Sequence, residues 1–126
     1  ILMTSEPAGG ISVNYNLNDI GGPSAGMMFS LAVIDKLTPG ALTGGSFVAG
    51  TGTIDDDGEV GPIGGITHKI RGAEEAGAEL FLAAAGNCDA VKRVHTDHMT
   101  VAKVGNLTEA VAAMEDFAAG RDVPTC

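Results

Sequence analysis

Apolar and polar residues alternate through Ile11-Ser12-Val13-Asn14-Tyr15-Asn16-Leu17, the period of a half-buried strand. Asn18 through Gly22 breaks the pattern and reads as a loop. From Pro23 to Leu37 the spacing becomes helical, with proline allowed at the first position because its missing N–H has no intrahelical partner there. Met27, Met28, Leu31, Val33 and Ile34 make this helix apolar on most sides, so it is expected to be buried; Thr38-Pro39-Gly40 ends it. Phe47 to Ile54 predicts a strand, Asp55-Asp56-Asp57-Gly58 a turn, and Glu59 to Ile63 a short returning strand, together a hairpin. A helix over 67–76 closes on Gly77 as its C-cap, and a strand covers 79–84. A short helix over 87–94 takes Asn87 as its N-cap. A strand over 98–104 and an amphipathic helix over 106–118, ended by Gly120, complete the chain. Strands alternate with helices through the second half, so the class is α/β: a mixed sheet with packed helices, in one domain over 1–126.

Composition sharpens this picture. With 126 residues and 44% hydrophobic content the chain can bury a core of its own, and disorder is excluded. Only 4% of residues are aromatic, so that core must be built from Ala, Val, Ile, Leu and Met. A net charge of −9, with seven basic residues scattered rather than clustered, argues against a nucleic-acid partner, which needs grouped Lys and Arg. Gly, Lys, Asp or Asn interrupts every apolar stretch well short of the roughly 20 residues a membrane helix requires. No signal peptide is visible, and the opening Ile1-Leu2 leads to the expectation of a fragment or a processed product. Cys88 and Cys126 are either two free thiols or a disulfide holding the tail 121–126; a tail ending on cysteine favours the bridge, which implies an oxidising compartment.

Two segments carry candidate chemistry. Asp19-Ile20-Gly21-Gly22-Pro23-Ser24-Ala25-Gly26 puts a small hydroxyl residue at the first turn of the first long helix, directly after a glycine loop. Backbone N–H groups there have no intrahelical acceptor and the helix dipole favours negative charge, so a serine oxygen could attack a carbonyl while nearby amides hold the oxyanion. The same geometry suits phosphate, and a serine at a helix start is also an ordinary cap; on this segment alone, capping is the simpler account.

The second segment is Gly58-Glu59-Val60-Gly61-Pro62-Ile63-Gly64-Gly65-Ile66-Thr67-His68-Lys69. Lys69 shares a helix face with Gly65, Ala73 and Ala76, small residues beside which a fully solvated lysine is not normally placed. Desolvation and the positive end of the helix dipole both disfavour the ammonium form, and a lysine base must be neutral to take a proton. Lowering an amine from about 10.4 to 7–8 costs the charged form about 4 kcal/mol relative to water. Without Ser24, Lys69 would read as a surface residue with a snorkelling stem.

Competing arrangements are weaker. His68 neighbours Lys69 and points to another side of its helix, while His95 and His98 flank Asp97 in a polar loop. The histidines lack an H-x-x-x-H spacing and the cysteines a C-x-x-C, so no metal or other cofactor is expected. The Asp55–Asp57 run lacks the distal Glu of an EF-hand and reads as a hairpin turn. No G-x-x-x-x-G-K-[ST] is present, so ATP hydrolysis is not expected. A small-molecule kinase using the 21–26 loop for phosphate has no candidate base pocket or Mg²⁺ ligands in the sequence. A silent peptide-binding scaffold remains open, although it would not require both Ser24 and Lys69.

Taken together, the two segments resemble the proteolytic domain of Lon proteases, closest to the bacterial PDZ-containing Lon-like branch. The likeness runs from about Val13 to the last helix. Gly22-Pro23-Ser24-Ala25-Gly26 is similar to the family's nucleophile motif, and Pro62-Ile63-Gly64-Gly65-Ile66 with Lys69 to its lysine motif, in that order and at a similar separation. The resemblance implies a serine endopeptidase with Ser24 as nucleophile, Lys69 as general base and the backbone of Gly22, Pro23 and Ala25 as oxyanion site. Thr51 matches a family threonine that hydrogen-bonds the lysine. Gly21 stands where many ATP-driven members carry an acidic residue, which favours the ATP-independent branch. That branch implies an N-terminal membrane anchor and a PDZ domain outside this segment, an extracytoplasmic location, peptides or unfolded segments as substrates, and a homo-oligomeric ring, often a hexamer.

Overall fold

The computed structural model describes residues 2–5, 11–14, 26–37 and 46–126. The loop at 18–22, the helix start at Pro23 and the stop at 38–40 lie outside them. Among the described residues a five-stranded mixed sheet forms, in the order β2-β1-β3-β6-β7, where β1 is Leu2–Ser5, β2 Ile11–Asn14, β3 Val48–Thr51, β6 Leu80–Ala84 and β7 Thr100–Val104. β3, β6 and β7 run parallel, and β1 pairs antiparallel with both β2 and β3. A separate two-stranded hairpin joins β4, Thr53–Ile54, to β5, Val60–Gly61. The helices are α1 Gly26–Leu37, α2 Ile66–Glu75, α3 Cys88–Val91 and α4 Leu107–Ala118. The class is therefore α/β with a mixed sheet and packed helices.

Alternation along the strands sorts the core into two layers. Val48, Leu80, Leu82, Ala84, Ala102 and Val104 point to the face covered by α1 and α4, where they meet Met27, Met28, Leu31 and Met114. Ala49, Phe81 and Ala83 point to the opposite face and meet Ile66, Ile70, Ala73 and Val91 from α2 and α3. Every residue of β6 is buried, as a strand covered on both faces requires. The sheet is thus the middle of three layers.

Three sequence expectations are corrected by the fold, and one strand, β1, has no counterpart among them. The strand expected over 47–54 ends at Thr51; after Gly52 the chain leaves the main sheet to pair with β5. β1 carries no alternating signal in Leu2-Met3-Thr4-Ser5, and only its pairing on both sides identifies it. α1 is buried on one face rather than most sides: Met27, Met28 and Leu31 are covered, whereas Phe29 and Val33 are 51% and 57% exposed. A helix in an outer layer has only its sheet-facing stripe to bury. Asn87, expected to cap a helix over 87–94, makes no cap bond; a 3₁₀ turn over Ala85–Asn87 leads instead into the four-residue α3.

Helix ends follow local chemistry. At the C-terminus of α2 the Gly77 N–H donates to Glu74 O and the Ala78 N–H to Ala73 O, with Gly77 at φ 96°. That is a Schellman ending, and glycine supplies the left-handed residue it needs. α4 ends the same way through Gly120 and Arg121. Beyond it the tail turns back along β7, where the Lys103 N–H donates to Pro124 O at 2.8 Å and Ala102 bridges Thr125. A disulfide joins Cys126 to Cys88 with the Cα atoms 5.2 Å apart, so the tail covers the otherwise open edge of β7.

Candidate active site

The carboxyl ends of β3 and β6 lie side by side, with Thr51 in register with Ala83. Open α/β sheets bind ligands outside such ends, where helices depart to opposite faces. α1 starts at this edge on one face: the Met27 N–H donates to Gly52 O at 3.1 Å. A Cβ at Gly26 would stand 2.9 Å from Ile54 Cγ2, so only glycine allows the helix start to approach this closely. Ser24 precedes this glycine by two positions in the sequence. Ser24 itself, with Gly22, Pro23 and Ala25, lies outside the described residues.

α2 starts at the same edge on the other face. Its N-cap is Gly65 in the left-handed region at φ 71°, and no side chain caps it among the described residues. The approach is set by the loop before it. Asn87, at the end of the turn that follows β6, accepts from the Ile63 N–H through Oδ1 at 3.0 Å and donates from Nδ2 to Ile63 O at 2.9 Å. Next to it, a Cβ on Gly86 would meet three carbons of Pro62 at 3.1–3.3 Å, so the proline ring rests directly on the glycine backbone. No local pattern reveals this seat, because its two halves are 24 positions apart.

Lys69 is the fourth residue of α2, and its N–H donates to Gly65 O at 3.3 Å. Ile66, Ile70 and Ala73 form the buried stripe of the helix, and Lys69 stands half-buried at its border. At 3.6 residues per turn it lies roughly 60° from Ile66 around the axis. The expected surround of small residues is only partly present: Ala73 is buried, whereas Gly65 and Ala76 are exposed. They lie further round the helix than Lys69, away from the sheet. Thr51, the last residue of β3, is 4% exposed. Alternation from Ala49 points its side chain to the face that α2 covers.

Several of the other polar residues are engaged in the structure of their own loops. The Asp55 carboxylate accepts from the Asp57 and Glu59 N–H groups at 2.9 and 2.8 Å, which occupies it as the organiser of its own turn. His68 is exposed on α2, and His95 pairs with Asp97 at 3.1 Å where both side chains are largely in solvent. Glu74 accepts from the Asp97 and His98 N–H groups and holds the loop before β7. Among the described residues no cluster of His, Cys, Asp and Glu is arranged to hold a metal ion, and no helix is long and apolar enough to cross a membrane.

The family model for the Lon protease (S16) C-terminal proteolytic domain matches residues 18–115, a span that includes both the serine and the lysine segments. No curated protein matches the chain. With that match over most of its length and a mixed α/β fold to accompany it, the chain belongs to the proteolytic-domain family of Lon serine proteases.

Proposed function

We propose that this domain is a serine endopeptidase in which Ser24 attacks the peptide carbonyl and Lys69 takes the serine proton. One observation carries the reading: the start of α1, two residues after Ser24, and the approach to α2, which bears Lys69, are anchored on the neighbouring carboxyl ends of β3 and β6. Thr51 ends the first of these strands on the α2 side, where its hydroxyl would orient the lysine amine. In the reaction the Ser24 oxygen bonds to the carbonyl carbon, its proton passes to Lys69, and the amine returns that proton to the leaving nitrogen. Water then releases the acyl group by the same route. The backbone N–H groups of Gly22 and Ala25, which precede α1 in the sequence, would hold the oxyanion, whereas Pro23 between them has no N–H to donate.

Other residues support a finer assignment. Gly21 in place of an acidic residue supports the ATP-independent, PDZ-containing branch. The Cys88–Cys126 disulfide fits an oxidising, extracytoplasmic setting, with any anchor and PDZ domain preceding this segment. Substrates on this reading are peptides or unfolded segments, and the active assembly is a homo-oligomeric ring.

Purified Ser24→Ala and Lys69→Ala proteins are expected to lose peptide cleavage by at least about 10³-fold while keeping the wild-type circular dichroism. Cleavage that survives in either variant contradicts the assignment. Adding Mg-ATP to the wild type is expected to leave the rate unchanged; a nucleotide-dependent rate would return the domain to the ATP-driven branch.

A further inference from the structure

Outside the proposed reacting groups, one buried polar side chain is committed to the approach to the lysine helix. Asn87 is 8% exposed, and both ends of its amide are satisfied by the two backbone groups of a single residue, Ile63. An asparagine whose task was to start α3 would accept from that helix's first N–H groups, and it does not. Its bonds reach instead to the loop that leads into α2.

Between Ile63 and the helix the chain passes through Gly64 and Gly65, and a Cβ at either would meet nothing within 4 Å among the described residues. Among the described residues, nothing packs laterally against this two-residue stretch to fix its path. The start of α2 is held from below by Ile66 in the core and from above by the grip on Ile63. A buried stripe of three side chains resists lifting of the helix more than it resists a roll about its axis. A roll of about 10° moves a side-chain end roughly 6 Å from the axis by about 1 Å. Misplacement of a reacting group by that distance can cost about 10²-fold in rate.

We propose that Asn87 is a positioning residue for the reaction: by gripping both backbone groups of Ile63 it sets where α2 starts and so where the Lys69 amine stands. The proposal rests on Lys69 being the general base. Gly86 shares the task, because its bare backbone seats Pro62 one residue before Ile63.

The test compares Asn87→Ala, Asn87→Asp and Gly86→Ala in the full chain, with Met114→Ala in the opposite core layer as a destabilised control. Asn87→Ala is expected to lower kcat roughly 10- to 100-fold with KM within about twofold, and to speed hydrogen exchange of the Ile63 amide. Asn87→Asp keeps the acceptor for the Ile63 N–H but loses the donor to its carbonyl, so its kcat falls between Asn87→Ala and wild type. Gly86→Ala forces Pro62 outward and lowers kcat several-fold. Met114→Ala loses stability but keeps its kcat at temperatures where it is folded. A folded Asn87→Ala protein with wild-type kcat overturns the proposal, as does an equal loss of kcat in Met114→Ala. Should Asn87→Ala not fold, unchanged kcat in both Asn87→Asp and Gly86→Ala overturns it. Failure of the underlying reading is separate: it would show as cleavage surviving in Ser24→Ala or Lys69→Ala.

Discussion

Helix α4 begins with Asn106, whose side chain accepts from the Glu109 N–H at 2.8 Å, while Glu109 Oε1 accepts from the Gly105 N–H at 2.7 Å. This closure lies within five residues and resembles a capping box, with the glutamate reaching the N–H one residue before the N-cap. Helix α2 begins with a left-handed glycine, no side-chain cap among the described residues and no acidic residue in its first turn. Its start is fixed from outside, by Asn87 and Gly86 at the end of β6. One asparagine closes a helix that supports the sheet; the other is spent on the loop leading to the helix that carries Lys69. Where a helix start is held by tertiary contacts, its first-turn N–H groups need not be closed by its own sequence. The contrast separates a local device for stability from a long-range device for placement.

Substitutions at the two helices should therefore separate turnover from stability. Lys69→Ala sits at the extreme, with turnover lost and the fold retained. The disulfide gives the largest effect on stability alone. Cys88→Ser opens a loop with a sequence separation of 38, which by loop-closure entropy is worth about 4 kcal/mol. Urea unfolding of this variant should show a lower midpoint, as should the wild type under reductant; an unchanged midpoint would mean the tail is held by its β7 pairing alone. The Asn87 variants follow, with their loss in kcat. Asn106→Ala comes last, lowering stability by about 1 kcal/mol with kcat unchanged. A fall in kcat as large as that of Asn87→Ala would erase the distinction between the two starts.

Much of this was legible in the sequence because it is local. The Asp55–Gly58 turn, Gly77 and Gly120 as helix stops, and the helix after Asn106 each follow from residues within one or two turns of one another. The serine and lysine segments stand out for the same reason, as a hydroxyl and an amine set into glycine-rich approaches to helices. What the sequence hid depends on partners far along the chain. Leu2–Ser5 becomes a strand only because neighbours pair on both sides of it, and Gly52 breaks a strand because β5 captures the residues after it. Asn87 reads as a cap because asparagine before a helix usually is one, and only the folded chain brings Ile63 to it. Lys69 was expected on a face of small residues, but Ile66 and Ile70 set which stripe is buried and leave it at the border.

Reaction of the domain with a fluorophosphonate, followed by peptide mass mapping, tests the central claim most directly, because the reagent reports an activated serine without needing the natural substrate. The account predicts one adduct, on Ser24, formed in the wild type and lost in Lys69→Met. An adduct on another serine, or equally fast labelling of Ser24 in Lys69→Met, would contradict it.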